Sequence, residues 1–371
     1  MKQQATLICD MQFGSTGKGL IAGYLAERDK PDTVVTAWAA NAGHTYINSD
    51  GRKFVHTMLA NGIVSPNLKR VMIGAGSLLN FDNLEREIRD CADLLNGLDF
   101  EAVYIHEHAA IIRQKHIDEE EQSMVGIGST SKGVGAALME KIKRDPAGRA
   151  VAKHLLDEEH RNGYMVEGVA VRVISHADYV HILKNKAVRI QIEGAQGYSI
   201  GMNSGFYPYV TSRECTPRQI MVDCCIPHYL KPKIVGCLRT FPIRVANRFD
   251  DSGEMIGYSG NGYPDQEEIS FGQIGVEPEL TTVTQRPRRI FTWSDKQFLE
   301  AFDMVAPHEI FLNFVNYIDS KHDFVNLFNR VNPTFLGFGA TATDIVDVGG
   351  LPLSKAVDVF NVSKQPDEDF E

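Results

Sequence analysis

The residues of this sequence best placed for chemistry lie in a glycine-rich turn near its start. The stretch "ICDMQFGSTGKG", residues 8–19, begins like a buried strand and continues into a turn whose glycines allow positive φ angles. A helix that starts near Lys18 would direct its free N–H groups at this turn, a geometry that binds phosphate. The turn departs from the usual phosphate loop, because Gln12 stands at the first glycine position and Gly19 follows the lysine. It predicts either an anion site or a tight packing connection, formed by Gly14, Ser15, Thr16, Gly17, Lys18 and Gly19.

A histidine follows the second apolar segment of the chain. The stretch "WAANAGHTY" places Asn41, Gly43, His44 and Thr45 just after a predicted strand, where enzymes with parallel sheets gather their sites. His44 is therefore a candidate acid, and the alternative is a histidine satisfied within the core. The stretch "HEH", residues 106–108, alternates as a strand should and has no further ligands at metal spacing, which favours a structural role.

Three later segments also carry polar side chains at glycine- or proline-rich turns. The stretch "GIGSTSKGVG", residues 126–135, has small residues, hydroxyls and one lysine, and indicates a second anion-binding loop. In "EGAQGYSIGMNSGFYPYVTS", Gln196 is suited to hydrogen-bonding the edge of a base. The stretch "TTVTQRPRR" combines three arginines with three threonines, which indicates either a carboxylate or phosphate clamp or a solvated basic face.

The elements that must position these residues alternate along the chain. Short apolar runs such as "ATLICDM", "DTVVTAW", "RVMIGAG", "AVYIHEH", "AVRIQIEGA" and "EIFLNFV" are separated by helix-like stretches such as "KGLIAGYLAERD" and "FDNLEREIRDCADLL". This alternation predicts an α/β fold with a mainly parallel central sheet flanked by helices on both faces. We expect one continuous domain over residues 1–371, with large insertions.

The composition limits the classes of function. The chain has 371 residues, of which 43% are hydrophobic, so it can bury a sizeable core. A formal net charge of −10 argues against a protein that binds nucleic acid directly or binds membrane surfaces. Met1 leads almost directly into the first apolar run, leaving no room for a signal peptide, and the six cysteines show no C-x-x-C spacing. We therefore expect a cytoplasmic protein with reduced thiols.

Taken in order, the segments resemble adenylosuccinate synthetases, from about Leu7 to Ala342. The most specific pieces are "NAGHT", "EGAQG" followed by "YPYVTS", and "TTVTQRPRR". Members of this family join aspartate to a 6-oxopurine nucleotide while cleaving a nucleoside triphosphate. The resemblance implies a P-loop-NTPase-like α/β fold, Mg²⁺ as cofactor, and a homodimer in which a neighbouring chain completes each site.

The resemblance also implies a role for individual residues. The catalytic positions are Ser15, Lys18 and His44, of which Lys18 and the surrounding amides would hold the triphosphate. His44 would polarise the purine O6 and the transferred phosphate. The backbone carbonyl of Gly43 would bind Mg²⁺, with Ser15 as a further ligand candidate. Other nucleotide-binding positions are Asn41, Thr45, Ser129, Thr130, Gln196, Thr211, Asn313, Asn316 and Gly339, with Arg144 supplied by the neighbouring subunit. The aspartate-binding positions are Thr284, Arg286 and Arg288.

One departure from the family pattern concerns the monophosphate substrate. The family loop reads Gly-Asp-Glu-Gly-Lys-Gly, and its Asp takes the proton from purine N1 and helps to bind Mg²⁺, whereas Ser15 stands at that position here. Losing a positioned base costs about 10²–10⁴ in rate. The smaller serine leaves space beside N1 and C2, where guanine carries an amino group. The expected monophosphate is therefore a guanine nucleotide, dGMP or GMP. This matches a phage-type branch that converts dGMP into N6-succino-2-amino-2'-deoxyadenylate, a precursor of DNA containing 2-aminoadenine.

A second departure concerns the phosphoryl donor. In "FLNFVNYID" the residues Asn313, Phe314, Val315 and Asn316 match the family's Thr-Lys-Leu-Asp, which reads the guanine of GTP. Because Asn both donates and accepts, as an adenine edge requires, ATP or dATP is expected as the donor. The alternative is a repacked strand whose base contacts come from elsewhere. Two other functions remain open, an ordinary synthetase acting on IMP and a catalytically silent nucleotide-binding regulator.

Overall fold

The structure is a computed structural model that describes residues 3–124, 126–127, 130–154, 163–280 and 287–364. Its strands, in chain order, are β1 (Gln4–Asp10), β2 (Thr33–Thr36), β3 (His44–Ile47), β4 (Lys53–His56), β5 (Arg70–Ile73), β6 (Leu78–Leu79), β7 (Ala102–His106), β8 (Ala110–Ile111), β9 (Tyr164–Val166), β10 (Val169–Ile174), β11 (Arg189–Glu193), β12 (Lys233–Arg239), β13 (Ile243–Arg244), β14 (Arg248–Phe249), β15 (Met255–Gly257), β16 (Glu268–Ile269), β17 (Arg289–Phe291), β18 (Glu309–Asn313), β19 (Phe335–Gly337) and β20 (Ile345–Asp347).

The α-helices of the described residues are α1 (Lys18–Asp29), α2 (Phe81–Asn96), α3 (Gln114–Ser123), α4 (Val134–Lys143), α5 (His176–Asn185), α6 (Pro217–Asp223), α7 (Asp295–Val305), α8 (Lys321–Val331) and α9 (Leu353–Ser363). Local sequence explains several of their starts. The side chains of Asn80, Ser175 and Thr216 accept a backbone N–H at the beginning of α2, α5 and α6, as N-cap residues do. Within the described residues, no helix combines the length and apolar character needed to cross a bilayer.

One eleven-stranded sheet runs through the molecule in the order β20-β19-β18-β12-β1-β11-β2-β5-β7-β10-β9. Its inner strands pair in parallel, and only the edge strands β9 and β20 pair antiparallel with their neighbours. All four residues of β2 and of β5 are buried, as expected for a parallel sheet covered on both faces. The predicted α/β class with a mainly parallel, helix-flanked sheet is confirmed.

The middle of this sheet brings three charged residues to one edge. Strand β1 lies between β11 and β12, and all three run in the same direction. They end at Asp10, Glu193 and Arg239, whose relative exposures are 2%, 2% and 0%. Such carboxyl ends are where open α/β sheets bind ligands. The glycine-rich turn follows β1 directly, so the fold places it at this edge.

Candidate active site

The glycine-rich turn is organised around the carboxylate of Asp10, the last residue of β1. One oxygen of this carboxylate accepts the backbone N–H of Gln12 at 2.8 Å and that of Gly14 at 3.2 Å. The other oxygen accepts the hydroxyl of Thr16 at 2.5 Å and Nζ of Lys18 at 3.0 Å. Charge-assisted bonds of this kind are the stronger class of hydrogen bond. Asp10 therefore fixes both the turn and the lysine that follows it.

The glycines of the turn serve packing as well as conformation. Gly17 has φ 90° and precedes α1, and a Cβ on it would lie 2.1 Å from Nδ2 of Asn313. A Cβ on Gly19 would lie 2.8 Å from the backbone nitrogen of Thr45, at the start of the next segment. The interpretation as a packing connection therefore has support, because the glycines allow close contacts. The interpretation as an anion site also has support, because the turn leads directly into the start of a helix.

The start of α1 leaves backbone donors open towards the turn. Among the described residues, the N–H groups of Gly17, Lys18 and Gly19 have no hydrogen-bond acceptor. The first turn of a helix carries a partial positive charge, so these amides attract an anion. Ser15 forms the exposed tip of the turn with φ 56°. These features support the predicted triphosphate site at residues 14–19.

A chain of hydrogen bonds joins this turn to two other predicted segments. Nζ of Lys18 donates to the backbone carbonyl of Gln196 at 2.8 Å. The side chain of Gln196 in turn donates to Oδ1 of Asn41 at 2.8 Å. The structure therefore brings together the segments around residues 18, 41 and 196, which are distant in sequence. Thr211 is half-buried, and its N–H donates to the carbonyl of Ile200.

His44 is buried beside the same turn. Its ring stacks on the indole of Trp38 with ring centroids 4.0 Å apart and an interplanar angle of 15°. Burial, together with the positive charge of Lys18 and the neighbouring His56, lowers the pKa of His44 well below its usual value. The imidazole is consequently neutral at pH 7. It can donate a hydrogen bond to a developing oxyanion more readily than it can deliver a proton as an imidazolium acid.

The second glycine-rich segment differs from the first because its helix start is already occupied. The buried carboxylate of Glu120 accepts the N–H groups of Gly133, Gly135 and Ala136 at 2.7, 2.5 and 3.3 Å. These amides are therefore not open to a ligand, contrary to what the pattern indicates. Thr130 is half-buried just before them, and Ser129 lies outside the described residues.

Arg144 and Gly339 are distant from the glycine-rich turn in sequence, and within the described part of the chain neither forms a hydrogen bond with the turn. Arg144 is exposed at the C-terminal end of α4, with φ 54°. A Cβ on Gly339 would lie 2.4 Å from a carboxylate oxygen of Asp344, so a larger residue does not fit there. For the aspartate clamp, Arg288 is described and half-buried, whereas Thr284 and Arg286 lie outside the described residues.

The two asparagines predicted to read a base have different environments. Asn313 is buried, its Nδ2 donates to the carbonyl of Thr16 at 3.3 Å and its Oδ1 accepts the N–H of Phe314 at 2.8 Å. The side chain of Asn313 therefore supports the glycine-rich turn of residues 14–19, called the phosphate turn after its predicted ligand, and these bonds compete with recognition of a base. Asn316 is exposed, and its backbone carbonyl accepts Nζ of Lys364. Of the pair, Asn316 has the side chain available to a ligand.

The fold brings two further possible metal ligands to the "HEH" segment. The ligand atoms of His106, His176 and Cys225 lie within 4.8 Å of one another. The expectation that the segment lacks further ligands is therefore wrong, because residues distant in sequence supply them. However, Nδ1 of His106 accepts the backbone N–H of His108, and its Nε2 lies 3.0 Å from Nδ1 of His176. In the neutral ring Nε2 therefore carries the proton. This hydrogen-bonded arrangement fits a structural role.

Two residues that sequence analysis missed, Asp10 and Trp38, complete the site. Asp10 stands at the end of a buried apolar strand directly before the turn, which is the signal that could have identified it. The indole N–H of Trp38 donates to the carbonyl of Glu193 at 2.8 Å, and this bond fixes the ring on which His44 stacks.

The chain is similar to adenylosuccinate synthetases over most of its length. The family model described as adenylosuccinate synthetase matches residues 7–164 and 157–321. Two similar relatives are both named N6-succino-2-amino-2'-deoxyadenylate synthase. That of Acinetobacter phage SH-Ab 15497 is 51% identical over 364 residues, covering 92% of this chain and 93% of the relative. That of Salmonella phage PMBT28 is 56% identical over 321 residues, covering 85% and 86%.

A solved structure shares the fold. Cyanophage S-2L succinoaminodeoxyadenylate synthetase, solved bound to dGMP and to dATP as an energy donor, matches with a TM-score of 0.86 and 36% identity. The match covers 98% of this chain and 100% of that one. The predicted P-loop-NTPase-like fold is confirmed. Together with the family match over most of the sequence, this means that the chain belongs to the adenylosuccinate synthetase family.

Proposed function

We propose that this protein is a ligase that joins L-aspartate to C6 of dGMP, with ATP or dATP as the phosphoryl donor. The product is N6-succino-2-amino-2'-deoxyadenylate, a precursor of DNA that contains 2-aminoadenine. The observation that carries this proposal is the 51% identity, over 92% of the chain, to a phage synthase of that product. The serine at the tip of the phosphate turn, where the family has a carboxylate, supports it independently.

The reaction has two balanced steps. First, the guanine O6 attacks the γ-phosphorus of the triphosphate, the N1 proton is lost, and ADP or dADP leaves. Second, the amine of aspartate attacks C6 and the O6 phosphate leaves as inorganic phosphate with loss of a proton from nitrogen. The first step turns a poor leaving group into a good one. Such chemistry depends mainly on positioning and electrostatics, which a rigid site can supply.

The residues described above suit these steps. The open amides at the start of α1, together with Lys18, would hold the triphosphate. Neutral His44 can donate its N–H to O6 as negative charge develops there, a contribution of the oxyanion-hole type. Asn41, Gln196 and Thr211 would hold the monophosphate, since the first two are joined to the phosphate turn by hydrogen bonds. Arg288, with Thr284 and Arg286, would bind the two carboxylates of aspartate.

Mg²⁺ fits this site through oxygen ligands. Ser15 offers a hydroxyl and Gly43 a backbone carbonyl, both belong to exposed residues, and oxygen atoms are the ligands that Mg²⁺ prefers. When bound, the ion neutralises negative charge on the phosphates. Because a serine hydroxyl is a weaker ligand than a carboxylate, phosphate oxygens and water would complete the coordination.

The proposed assembly is a homodimer in the cytoplasm of the host cell. Arg144 supports the dimer, because it is an exposed cation at the end of α4 and makes no side-chain hydrogen bond to the described residues of its own chain. In the dimer, Arg144 of each chain would contact the monophosphate bound to the other. The cytoplasmic location is supported by the phage relatives and by substrates drawn from the nucleotide pool.

The function is tested by supplying purified protein with aspartate and Mg²⁺, and with dGMP, GMP or IMP, each paired with ATP, dATP or GTP. Release of phosphate and formation of the succinylated nucleotide are measured together. We expect the largest kcat/KM with dGMP and an adenine triphosphate. A preference for IMP would identify an ordinary adenylosuccinate synthetase, and binding without turnover would identify a silent regulator.

A further inference from the structure

Arg239, at the end of β12, contacts the phosphate turn through both its side chain and its backbone. Its side chain is fully buried, and Nη1 donates to the backbone carbonyl of Ser15 at 3.1 Å. Its backbone also exchanges two hydrogen bonds with the side chain of Gln12, at 2.9 and 3.1 Å. Its guanidinium lies over the ring of Phe314, 3.8 Å from the ring centroid. Arg239 thus holds the turn at two points, its entry and its tip.

The charge of Arg239 is balanced by a residue from a distant part of the chain. Both Nη atoms of Arg239 donate to the carboxylate of Glu279, one of them at 3.2 Å. Tyr317 donates its hydroxyl to the same carboxylate at 3.2 Å. Burial acts to raise the pKa of Glu279, but the charges of Arg239 and Arg288 hold that pKa below its usual value. The carboxylate is therefore ionised and paired.

Glu279 also connects directly to a residue of the aspartate site. Its backbone carbonyl accepts the N–H of Arg288 at 2.8 Å, and Leu280 and Pro287 form an isolated antiparallel bridge next to this bond. The position of Glu279 therefore fixes the position of the Arg288 backbone. A series of hydrogen bonds thus joins Ser15 to Arg239, Arg239 to Glu279, and Glu279 to Arg288.

Arg239 is fully buried and Glu279 is half-buried, so forming this pair removes much of both charges from water. That is not the simplest way to stabilise a protein. Apolar side chains of similar volume are often as stable as a buried ion pair, because the desolvation of two charges offsets their attraction. An ion pair does fix relative geometry, since a guanidinium and a carboxylate meet in a planar, two-bonded arrangement. The position of this pair, between two predicted substrate sites, indicates that geometry is what it provides.

We propose that Arg239 and Glu279 are positioning residues that hold the triphosphate turn and Arg288 in one fixed arrangement. This inference rests on the proposed function. The γ-phosphate and the aspartate amine act on neighbouring atoms, O6 and C6, so the two sites must be held in register. A displacement of 1 Å between reacting groups can cost about 10²-fold in rate.

The test compares Glu279→Gln with a matched control, Glu268→Gln. Glu268 pairs with Arg289, the residue after Arg288, so the control removes an ion pair from the same strand region without contact to the phosphate turn. We expect Glu279→Gln to raise KM for both the triphosphate and aspartate by about 10- to 100-fold, the loss typical of a charge-assisted contact. KM for the monophosphate should change little, and Glu268→Gln should behave like the unmodified protein.

A second variant, Arg239→Lys, keeps the positive charge but loses the two-bonded geometry and the stacking on Phe314. We expect it to show the same two KM changes in a weaker form, with far-ultraviolet circular dichroism unchanged. Equal changes in all three KM values, or normal kinetics with only a lower melting temperature, would overturn the proposal. The unmodified protein is assayed first with dGMP and IMP. Whichever it accepts is then used, so failure of the substrate assignment is separate from failure of this pair.

Discussion

Two glycine-rich turns precede helices in this chain, and they differ in what occupies the helix start. In both, the residue before the helix is a glycine with positive φ, 90° at Gly17 and 75° at Gly133, and neither helix has a side-chain cap on that residue. The amides of Gly133 and Gly135 at the start of α4 are bonded to Glu120, whereas those of Gly17, Lys18 and Gly19 at the start of α1 have no acceptor among the described residues. Glycine spacing therefore indicates a shape, and the surrounding chain decides whether a ligand can enter it.

Replacing the lysine of each turn by alanine tests this comparison most severely. Lys18→Ala should lower kcat/KM by about 10²–10³-fold, because it removes the cation that the proposed function assigns to the triphosphate. Lys132→Ala, the matching change at the second turn, should have little effect on turnover. Steady-state kinetics with dGMP, aspartate and ATP measure both. Losses of similar size in the two variants would show that both turns take part in phosphoryl transfer.

A third carboxylate, that of Glu193, should make the stability of the protein depend on pH. Glu193 accepts the N–H groups of Asn61 and Gly62 at a short 3-10 helix, and burial raises its pKa to about 7 from 4.5. Since the folded state binds this proton more tightly, the stability it contributes is complete below pH 4.5 and is lost as pH rises through 7. Between pH 4.5 and 8, we expect the free energy of unfolding of the unmodified protein to fall by about 3 kcal/mol relative to that of Glu193→Gln. Urea unfolding at a series of pH values measures this, and a constant difference would contradict it.

The carboxylate inside the first turn should affect catalysis more than folding. Asp10→Asn keeps the shape of the side chain but removes the charge opposite Lys18 and replaces one acceptor with a donor. We expect kcat/KM to fall by about 10²-fold through misplacement of Lys18 and Thr16. Fluorescence-detected binding of the triphosphate, measured beside kcat, separates a lost site from a displaced one. Unchanged kinetics would mean that the turn keeps its shape without Asp10.

The carboxylate of Glu120, at the start of α4, should affect folding more than catalysis. Glu120→Gln weakens three hydrogen bonds at the start of α4 and removes a negative charge from a helix N-terminus. We expect a loss of about 1–2 kcal/mol in the free energy of unfolding, with turnover close to normal. Chemical denaturation and kinetics on the same preparation provide the check. A strong loss of turnover without loss of stability would place this helix start in the catalytic machinery.

Most of the sheet, and the helix that starts at Lys18, could be predicted from the sequence for physical reasons. Runs such as "DTVVTAW" and "EIFLNFV" are short and largely apolar because their strands are buried on both faces. Strand β12 was missed, since "KIVGCLR" contains a glycine and two cations and has no clear strand pattern, although it lies next to β1. Strand pairing at the centre of the sheet compensates for its weak local signal.

The contacts that organise the site were harder to predict. Asp10 with Lys18 is a local pair, but Arg239 with Ser15 spans 224 positions and Arg239 with Glu279 spans 40. Residue type and spacing carry no information about such partners until the strands are placed. The roles of the predicted site residues and the single domain over residues 1–371 stay predictions, although the fold brings several of those residues to one edge of the sheet.

The stacking of His44 on Trp38 gives the protein an optical reporter beside the histidine that is proposed to polarise the purine. The chain has only two tryptophans, Trp38 and Trp293, so Trp293→Phe would leave a single indole emitter in contact with the histidine. Indole emission responds to the charge and polarity of the group stacked on it. Arrival of a purine at His44, or a change in the protonation of that ring, would then be visible as a change in intensity on the millisecond scale of a stopped-flow trace, without any label.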